Sequence, residues 1–510
     1  MSVDHVALLP LYAAAATAIG VFLVDLVAPG RRTPVLLLGS LGCVATGTTA
    51  WWVGHSGRVR ATFCTPVGCS YSADRTAALV ALLFAALTLG VLLLSTPLLR
   101  APTSGGGAPS GEYTFLLACS LTGGVLLGAA RDLITLIVAL ETLTLPLYAL
   151  VALRRRVRAS AEAAVTFFVV SVVASAVTLL GAALLYAATG TVHFGQLAAV
   201  LVTGPTPARL APLVSVGAVL LLLGLGFKVA AVPLHAWAPA TYDGAPLPVA
   251  GYLSTASKLG GVVAIVLVTV GPLGPRLAVL GPLLAVLAAL TMTVGNLAAL
   301  RQRRMVRLLA WSSVAQAGYI LAPLGAFALA RGRSPEAVRV AVAATLAYAI
   351  FYVLLELAAF AGVIALRGAG DGGAIAEYRG VARRSPWLTA ALLLALAGLA
   401  GLPPGLAGLF AKVTVVRSLL TGGSAWLAVV VGLNAVIGLA YYLRVAATFF
   451  ADPAPDPDRR PDSGPEPQAP ARSRTHWAVA LGLLALTLAA LVVGFAPQLV
   501  LNAAQLPLVP

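Results

Sequence analysis

Fourteen stretches of about 20 mainly apolar residues divide this 510-residue chain almost end to end, and a helix needs roughly 20 such residues to cross the hydrocarbon core of a bilayer. They begin near His5, Pro34, Thr76, Tyr113, Asp132, Ala159, Ala211, Pro246, Leu277, Met305, Val338, Trp387, Ser424 and His476, at breaks marked by Gly, Pro or Arg. Only 10% of the residues are charged and 60% are apolar, against about a quarter charged in soluble domains, so a water-soluble fold is excluded. Backbone at membrane depth must satisfy its hydrogen bonds internally, which leaves helices or a closed barrel. Continuous runs of this length specify helices. The expected class is an all-α integral membrane protein of about 14 transmembrane helices, with loops too short for a soluble catalytic domain.

The net charge of +16 would point to nucleic acid in a soluble protein, but in a membrane protein it must be divided between the loops of the two sides. With the N-terminus outside, one set of loops holds twenty arginines, among them Arg31, Arg154, Arg301, Arg303, Arg304, Arg383 and Arg444, and the other holds ten. The richer set belongs in the cytoplasm, so both termini are expected outside, and the arginines set orientation rather than bind nucleic acid. The first apolar segment lacks a basic n-region and reads as a retained helix rather than a cleaved signal. The Pro-, Asp- and Arg-rich stretch 451–475 reads as a flexible cytoplasmic linker.

The basic residues are thirty arginines and three lysines, Lys228, Lys258 and Lys412, and each lysine falls inside an expected span while the arginines sit in loops or near helix ends. Arginine stays charged, whereas a buried lysine can carry and release a proton. Two glutamates, Glu141 and Glu356, also lie deep in apolar sequence. Intramembrane ionisable groups are costly and mark either an ion path or a proton relay, or else structural ion pairs. More lysines than acids leaves a cation without a dedicated partner, which favours a relay through Glu141 and the lysines; Glu356 fits either reading. Asp25, near the end of the first span, reads as interfacial.

Two of the lysines stand beside helix breakers. Pro233 follows Lys228 in FKVAAVPLHAWAPATYDG, and Pro403, Pro404 and Gly405 precede Lys412 in GLPPGLAGLFAK. A broken helix at membrane depth survives only where protein or water satisfies the freed backbone, and two such breaks in separate halves are a mark of repeat-built transporters. His235 could pass protons between Lys228 and Lys258 or simply pack. Tyr148, Thr255, Ser257, Ser312, Ser313, Gln316 and Tyr319 could order water, or bond to helix backbone. Cys64 and Cys69, in a loop placed outside, suit a local disulfide or two free thiols. The cysteines have no metal-ligand spacing, so neither zinc nor iron–sulfur ligation is expected, and GAGDGG at 368–373 follows a membrane helix rather than a strand, which argues against a dinucleotide site.

Several of these segments together resemble a known family. Residues 132–153, DLITLIVALETLTLPLYALVAL, are similar to the fifth-helix motif of the antiporter-like subunits of respiratory complex I; 227–260, 295–321, 378–387, 401–412 and the YYLRV at Tyr441 continue the likeness in order. The resemblance implies two inverted five-helix repeats with a broken helix in each. Residues 1–112 would hold helices 1–3, residues 113–270 the first repeat, 271–450 the second, 451–475 the linker and 476–510 the last helix. It also implies that Glu141 and Lys228 form a charge-modulating pair, that Lys258 is the central proton carrier and Lys412 the terminal lysine. Lysine at 412 separates paralogues, one of which carries glutamate there. Gln316 departs from a histidine common in the matching branch. The family's function would be proton translocation in the bacterial plasma membrane. No cofactor is expected in this chain, with NAD, FMN, iron–sulfur clusters and quinone in partner subunits of the complex. A cation/proton antiporter or membrane-bound hydrogenase subunit, and a non-conducting scaffold, are the alternatives.

Overall fold

The computed structural model describes residues 3–101, 107–153, 157–203, 210–368, 370–452 and 475–505; nearly all of the expected linker lies outside the described residues. The chain begins with α1 (Leu9–Val27), α2 (Arg32–His55), a hairpin of β1 (Arg60–Thr65) and β2 (Gly68–Ala73), α3 (Arg75–Leu94), the short α4 (Thr96–Arg100) and α5 (Ser110–Ala129). Next come α6 (Leu133–Val151), the long α7 (Arg158–Thr189), α8 (Phe194–Thr203), α9 (Ala211–Lys228) and α10 (Trp237–Gly244). α11 (Leu247–Tyr252) passes through a π-helical turn (Leu253–Ser257) into α12 (Lys258–Val270). The rest comprises α13 (Leu277–Leu300), α14 (Met305–Gly325), α15 (Pro335–Arg367), α16 (Val381–Arg384), α17 (Pro386–Ala400), α18 (Leu406–Thr421), α19 (Ala425–Phe450), α20 (Trp477–Phe495) and α21 (Gln498–Ala504).

Among the described residues, twelve segments are long and apolar enough to cross a membrane. α14, diluted by Ser312, Ser313 and Gln316, and the interrupted pair α17–α18 bring the crossings to the fourteen expected. Each crossing starts within four residues of its expected position. Local chemistry explains some of these starts: Asp132 caps α6 by accepting from the Thr135 N–H at 2.7 Å, and Asp74 caps α3 by accepting from Ala77 N–H at 2.8 Å.

The helices differ in what surrounds them. Every residue of Leu247–Val270 is buried in protein, α14 is nearly so, and α15 is buried along most of its middle, which makes them the centre. The outer helices expose large apolar side chains such as Leu26, Phe22, Val173 and Leu433, which in a membrane protein is the lipid- or partner-facing surface. Exposed Trp51, Trp52, Trp387, Trp426 and Trp477 lie near helix ends, where amphipathic rings suit the bilayer interface.

The loops sort into two faces. On one, the Arg131 N–H donates to Ser70 of the hairpin, Asp132 bridges to His193, and Arg131 pairs with Asp74. On the other, Arg304 pairs with Asp243 at 2.9 Å and Asp371 at 3.0 Å, Arg383 pairs with Asp452, and Arg444 donates to the carbonyls of Leu300 and Gln302. The hairpin was not foreseen from the sequence: six-residue strands in a loop of mixed polarity carry too little alternation to stand out. Its two strands are joined by a Cys64–Cys69 disulfide, which resolves the choice the sequence left open.

Candidate functional site

Two interruptions organise the site. α9 ends at Lys228, and the chain turns through Ala230, at positive φ, before α10 starts at Trp237. The groups freed by this break are taken up by protein: Trp237 Nε1 donates to the Phe227 carbonyl at 3.2 Å, Ala231 N–H to Gly226 at 2.9 Å, and Val232 N–H to Thr291 Oγ1 at 3.0 Å. α17 ends at Ala400 and α18 begins at Leu406, across Pro403 and Pro404. Here the C-terminal carbonyls of α17 accept from side chains, Leu399 from Gln316 Nε2 at 3.1 Å and Ala400 from Lys412 Nζ. A cation on the end of a helix also meets the negative end of its dipole.

Lys228 and Glu141 meet as expected. The ammonium lies 3.3 Å from Glu141 Oε1 and donates to Thr144 Oγ1 at 3.0 Å, while Ser175 donates to the same carboxylate oxygen at 2.6 Å. α6, α7 and α9 therefore converge on one charge pair. α12 reaches it through a glycine: a Cβ on Gly261 would lie 2.8–3.0 Å from Val229 and from the Lys228 side chain and backbone. Gly261→Val is expected to push α12 away from Lys228 and to cost about 1–3 kcal/mol by overpacking, read as a lower melting temperature and less assembled protein; unchanged stability would show that the contact is slack.

Lys258 is the first residue of α12, directly after the π-helical turn, and is 1% exposed. Its Nζ donates to the Ser313 carbonyl at 2.5 Å and to Ser313 Oγ. From Ser313 a polar face runs along α14 through Gln316 to Tyr319, residues spaced to lie on neighbouring turns. Gln316 accepts from Tyr348 at 2.6 Å and donates to Tyr442 at 3.5 Å, and Tyr442 is hydrogen-bonded to Ser312. The Lys412 ammonium sits 5.5 Å above the Tyr319 ring. One face of α14 thus joins the surroundings of Lys258 to those of Lys412.

His235 stands apart from both lysines. It lies in the break between α9 and α10, its ring 5.2 Å from Trp311 and its Nδ1 buried without a hydrogen-bond partner among the described residues; it makes no hydrogen bond to Lys228 or Lys258 among them. Tyr148 donates to Ser171, and Thr255 bonds helix backbone at Gly251, 2.7 Å. The sequence reading passed over a further buried cluster. Asn296 donates to Tyr319 and Asn434, both at 3.1 Å, and accepts from Tyr441 at 3.2 Å. An asparagine in an apolar helix was the available signal, because a buried amide needs partners.

Residues 130–438 match the family described as NADH:quinone oxidoreductase/Mrp antiporter, TM. The NADH-quinone oxidoreductase subunit N of Salinispora tropica is 61% identical, over 99% of each chain. Among solved structures, a chain of respiratory complex I from Thermus thermophilus with bound aureothin aligns over 97% of this chain and 98% of its own, with 31% identity and a TM-score of 0.76. A chain of the Mrp complex from Dietzia sp. DQ12-45-1b aligns over 98% and 96%, with a TM-score of 0.81 at 23% identity, and so shares the fold alone.

Proposed function

The chain belongs to the NADH:quinone oxidoreductase/Mrp antiporter membrane family, among its subunit N relatives, and from that premise we propose that it is a proton-translocating membrane subunit of NADH-quinone oxidoreductase. Electron transfer from NADH to quinone, with its FMN and iron–sulfur clusters, belongs to partner subunits, and this chain's share of the enzyme is translocation. The observation that carries the reading is the placing of three lysines inside the bundle, Lys228 paired with Glu141, Lys258 on Ser313 and the half-buried Lys412 on the end of α17, with the polar face of α14 running between the surroundings of the last two.

In this mechanism Glu141 holds Lys228 in its charged form. When the pair is loosened, Lys228 becomes an uncompensated cation in a dry setting, a costly state that loss of its proton relieves. The changed charge is felt by Lys258, whose proton moves along the α14 face toward Lys412. His235, an imidazole at the break, can exchange protons there. Residues 113–270 and 271–450 form the two repeats, each contributing one interrupted helix.

Purification of the protein from its native membrane in mild detergent, with mass spectrometry of what accompanies it, tests the assignment. Flavin and iron–sulfur subunits with NADH oxidation are expected. A hydrogenase or a redox-free antiporter assembly would overturn it.

We further infer that both termini lie outside the cytoplasm. The arginine-rich loops share one face, and the Cys64–Cys69 hairpin lies on the other, where an oxidising compartment would keep its disulfide. In a chain with Cys43 and Cys119 replaced by serine, a membrane-impermeant thiol reagent applied to intact cells after mild reduction is expected to label the hairpin; labelling only after lysis would invert the topology.

A further inference from the structure

Glu356 has no role in the path as described. It lies near the middle of α15, is 0% exposed, and neither carboxylate oxygen has a hydrogen-bond partner among the described residues. Buried polar groups are nearly always hydrogen-bonded, and a carboxylate that served only to lock helices would be held by donors or by a direct ion pair. Lys258 does not supply one, since both hydrogen bonds its ammonium makes among the described residues go to Ser313.

The surroundings of Glu356 are those of the path. Lys258 of α12, Tyr242 of α10, Tyr352 of its own helix, and Tyr441 and Tyr442 of α19 all lie within electrostatic reach of it. The Tyr242 hydroxyl is buried beside Ser313. Glu356 ends a stripe of α15 residues four apart, Tyr348, Tyr352 and Glu356. Tyr352 donates to the Ser254 carbonyl at 2.7 Å, in the π-helical turn that precedes Lys258, and Tyr348 donates to Gln316 at 2.6 Å. The stripe spans about 12 Å at 1.5 Å per residue, alongside the polar face of α14.

We propose that Glu356 is a proton-carrying residue, receiving the proton that Lys258 releases and passing it to the Gln316–Tyr442 network that leads to Lys412. In the first transfer an N–H bond of the Lys258 ammonium breaks and an O–H bond forms on the Glu356 carboxylate, leaving a neutral amine and a neutral carboxylic acid. Both products suit a dry site better than two separated charges. In the second, the Lys412 ammonium has first released its own proton to the exit side, and the neutral amine then takes the proton that the Glu356 carboxylic acid gives up, so charge and protons balance. An unpaired carboxylate is what such a step requires, because one fixed by donors would hold its charge. The inference rests on the proton-translocating reading above.

The test uses the whole complex in proteoliposomes, with Glu356→Gln, Glu356→Asp and Lys258→Met compared for protons moved per NADH oxidised and for co-purification with the partner subunits. Glu356→Gln is expected to lose this subunit's share of translocation and Glu356→Asp to keep part of it, because aspartate still titrates. A structural role predicts the reverse order, since glutamine fills the site better. Full translocation in Glu356→Gln with loss in Lys258→Met would remove Glu356 from the path and leave the wider reading standing; full translocation in both would overturn the wider reading as well. Should Glu356→Gln fail to assemble, infrared difference spectra during turnover decide the matter: a protonated-carboxyl C=O band that shifts in Glu356→Asp supports the transfer, and its absence overturns it.

Discussion

Lys258→Met is expected to leave the protein in its complex and to remove the proton translocation that this subunit carries. Methionine matches the aliphatic stem of lysine to Cε and fills nearly the same buried space, so packing around α12 changes little. What is lost is the ammonium between the Glu141–Lys228 pair and the α14 face, and the donor to Ser313. Leaving the Ser313 carbonyl and hydroxyl without that donor costs about 1–3 kcal/mol, which a large buried bundle tolerates. Lys258→Arg sharpens the result. Arginine keeps the charge but does not release a proton, so translocation should also fail there, whereas recovery in Lys258→Arg would mean that only a fixed charge is needed. The measurement is proton uptake per NADH in proteoliposomes, beside the amount of subunit recovered in the complex.

The second large effect concerns the Glu141–Lys228 pair, through a double-mutant cycle of Glu141→Gln and Lys228→Met. Glu141→Gln alone leaves a buried ammonium with only Thr144 as a strong partner and is expected to destabilise by about 1–3 kcal/mol. Lys228→Met alone leaves a carboxylate that still accepts from Ser175 and is partly exposed, so it should cost less. The double variant should recover most of the stability, because replacing both members of a buried pair by uncharged groups is often near neutral. Translocation should stay lost in all three. A double variant that translocates normally would make the pair a helix clamp and favour a scaffold over a switch.

Much of this was legible in the chain itself, for a definite reason. A bilayer acts on local sequence: it demands about 20 apolar residues per crossing and taxes every charge within them. Fourteen crossings, their starting points, the two interruptions and the isolation of Lys228, Lys258 and Lys412 from the arginines therefore follow from hydropathy and residue type without reference to packing. The pairing of Glu141 with Lys228 was also anticipated, from the family resemblance, since two opposite charges in separate apolar helices rarely remain apart.

Tertiary structure alone decided which groups each lysine meets. Whether Lys258 finds Glu356 or Ser313, and Lys412 a carboxylate or the last carbonyl of α17, depends on helix rotation and on the close approach of backbones at glycines such as Gly261, and neither leaves a trace in hydropathy. The same holds for Tyr348, Tyr352, Tyr442, Asn296 and Asn434. Such side chains pass for ordinary members of an apolar helix until a neighbouring helix shows that their polar ends meet partners inside the bundle. The hairpin closed by Cys64 and Cys69, outside the expected spans, escaped because the bilayer places no such demand on a loop. Residue type and length determined where the chain crosses and which charges it must shelter; the packing of α12, α14 and α15 determined what those charges touch, because partners far apart in sequence are brought together only by the fold.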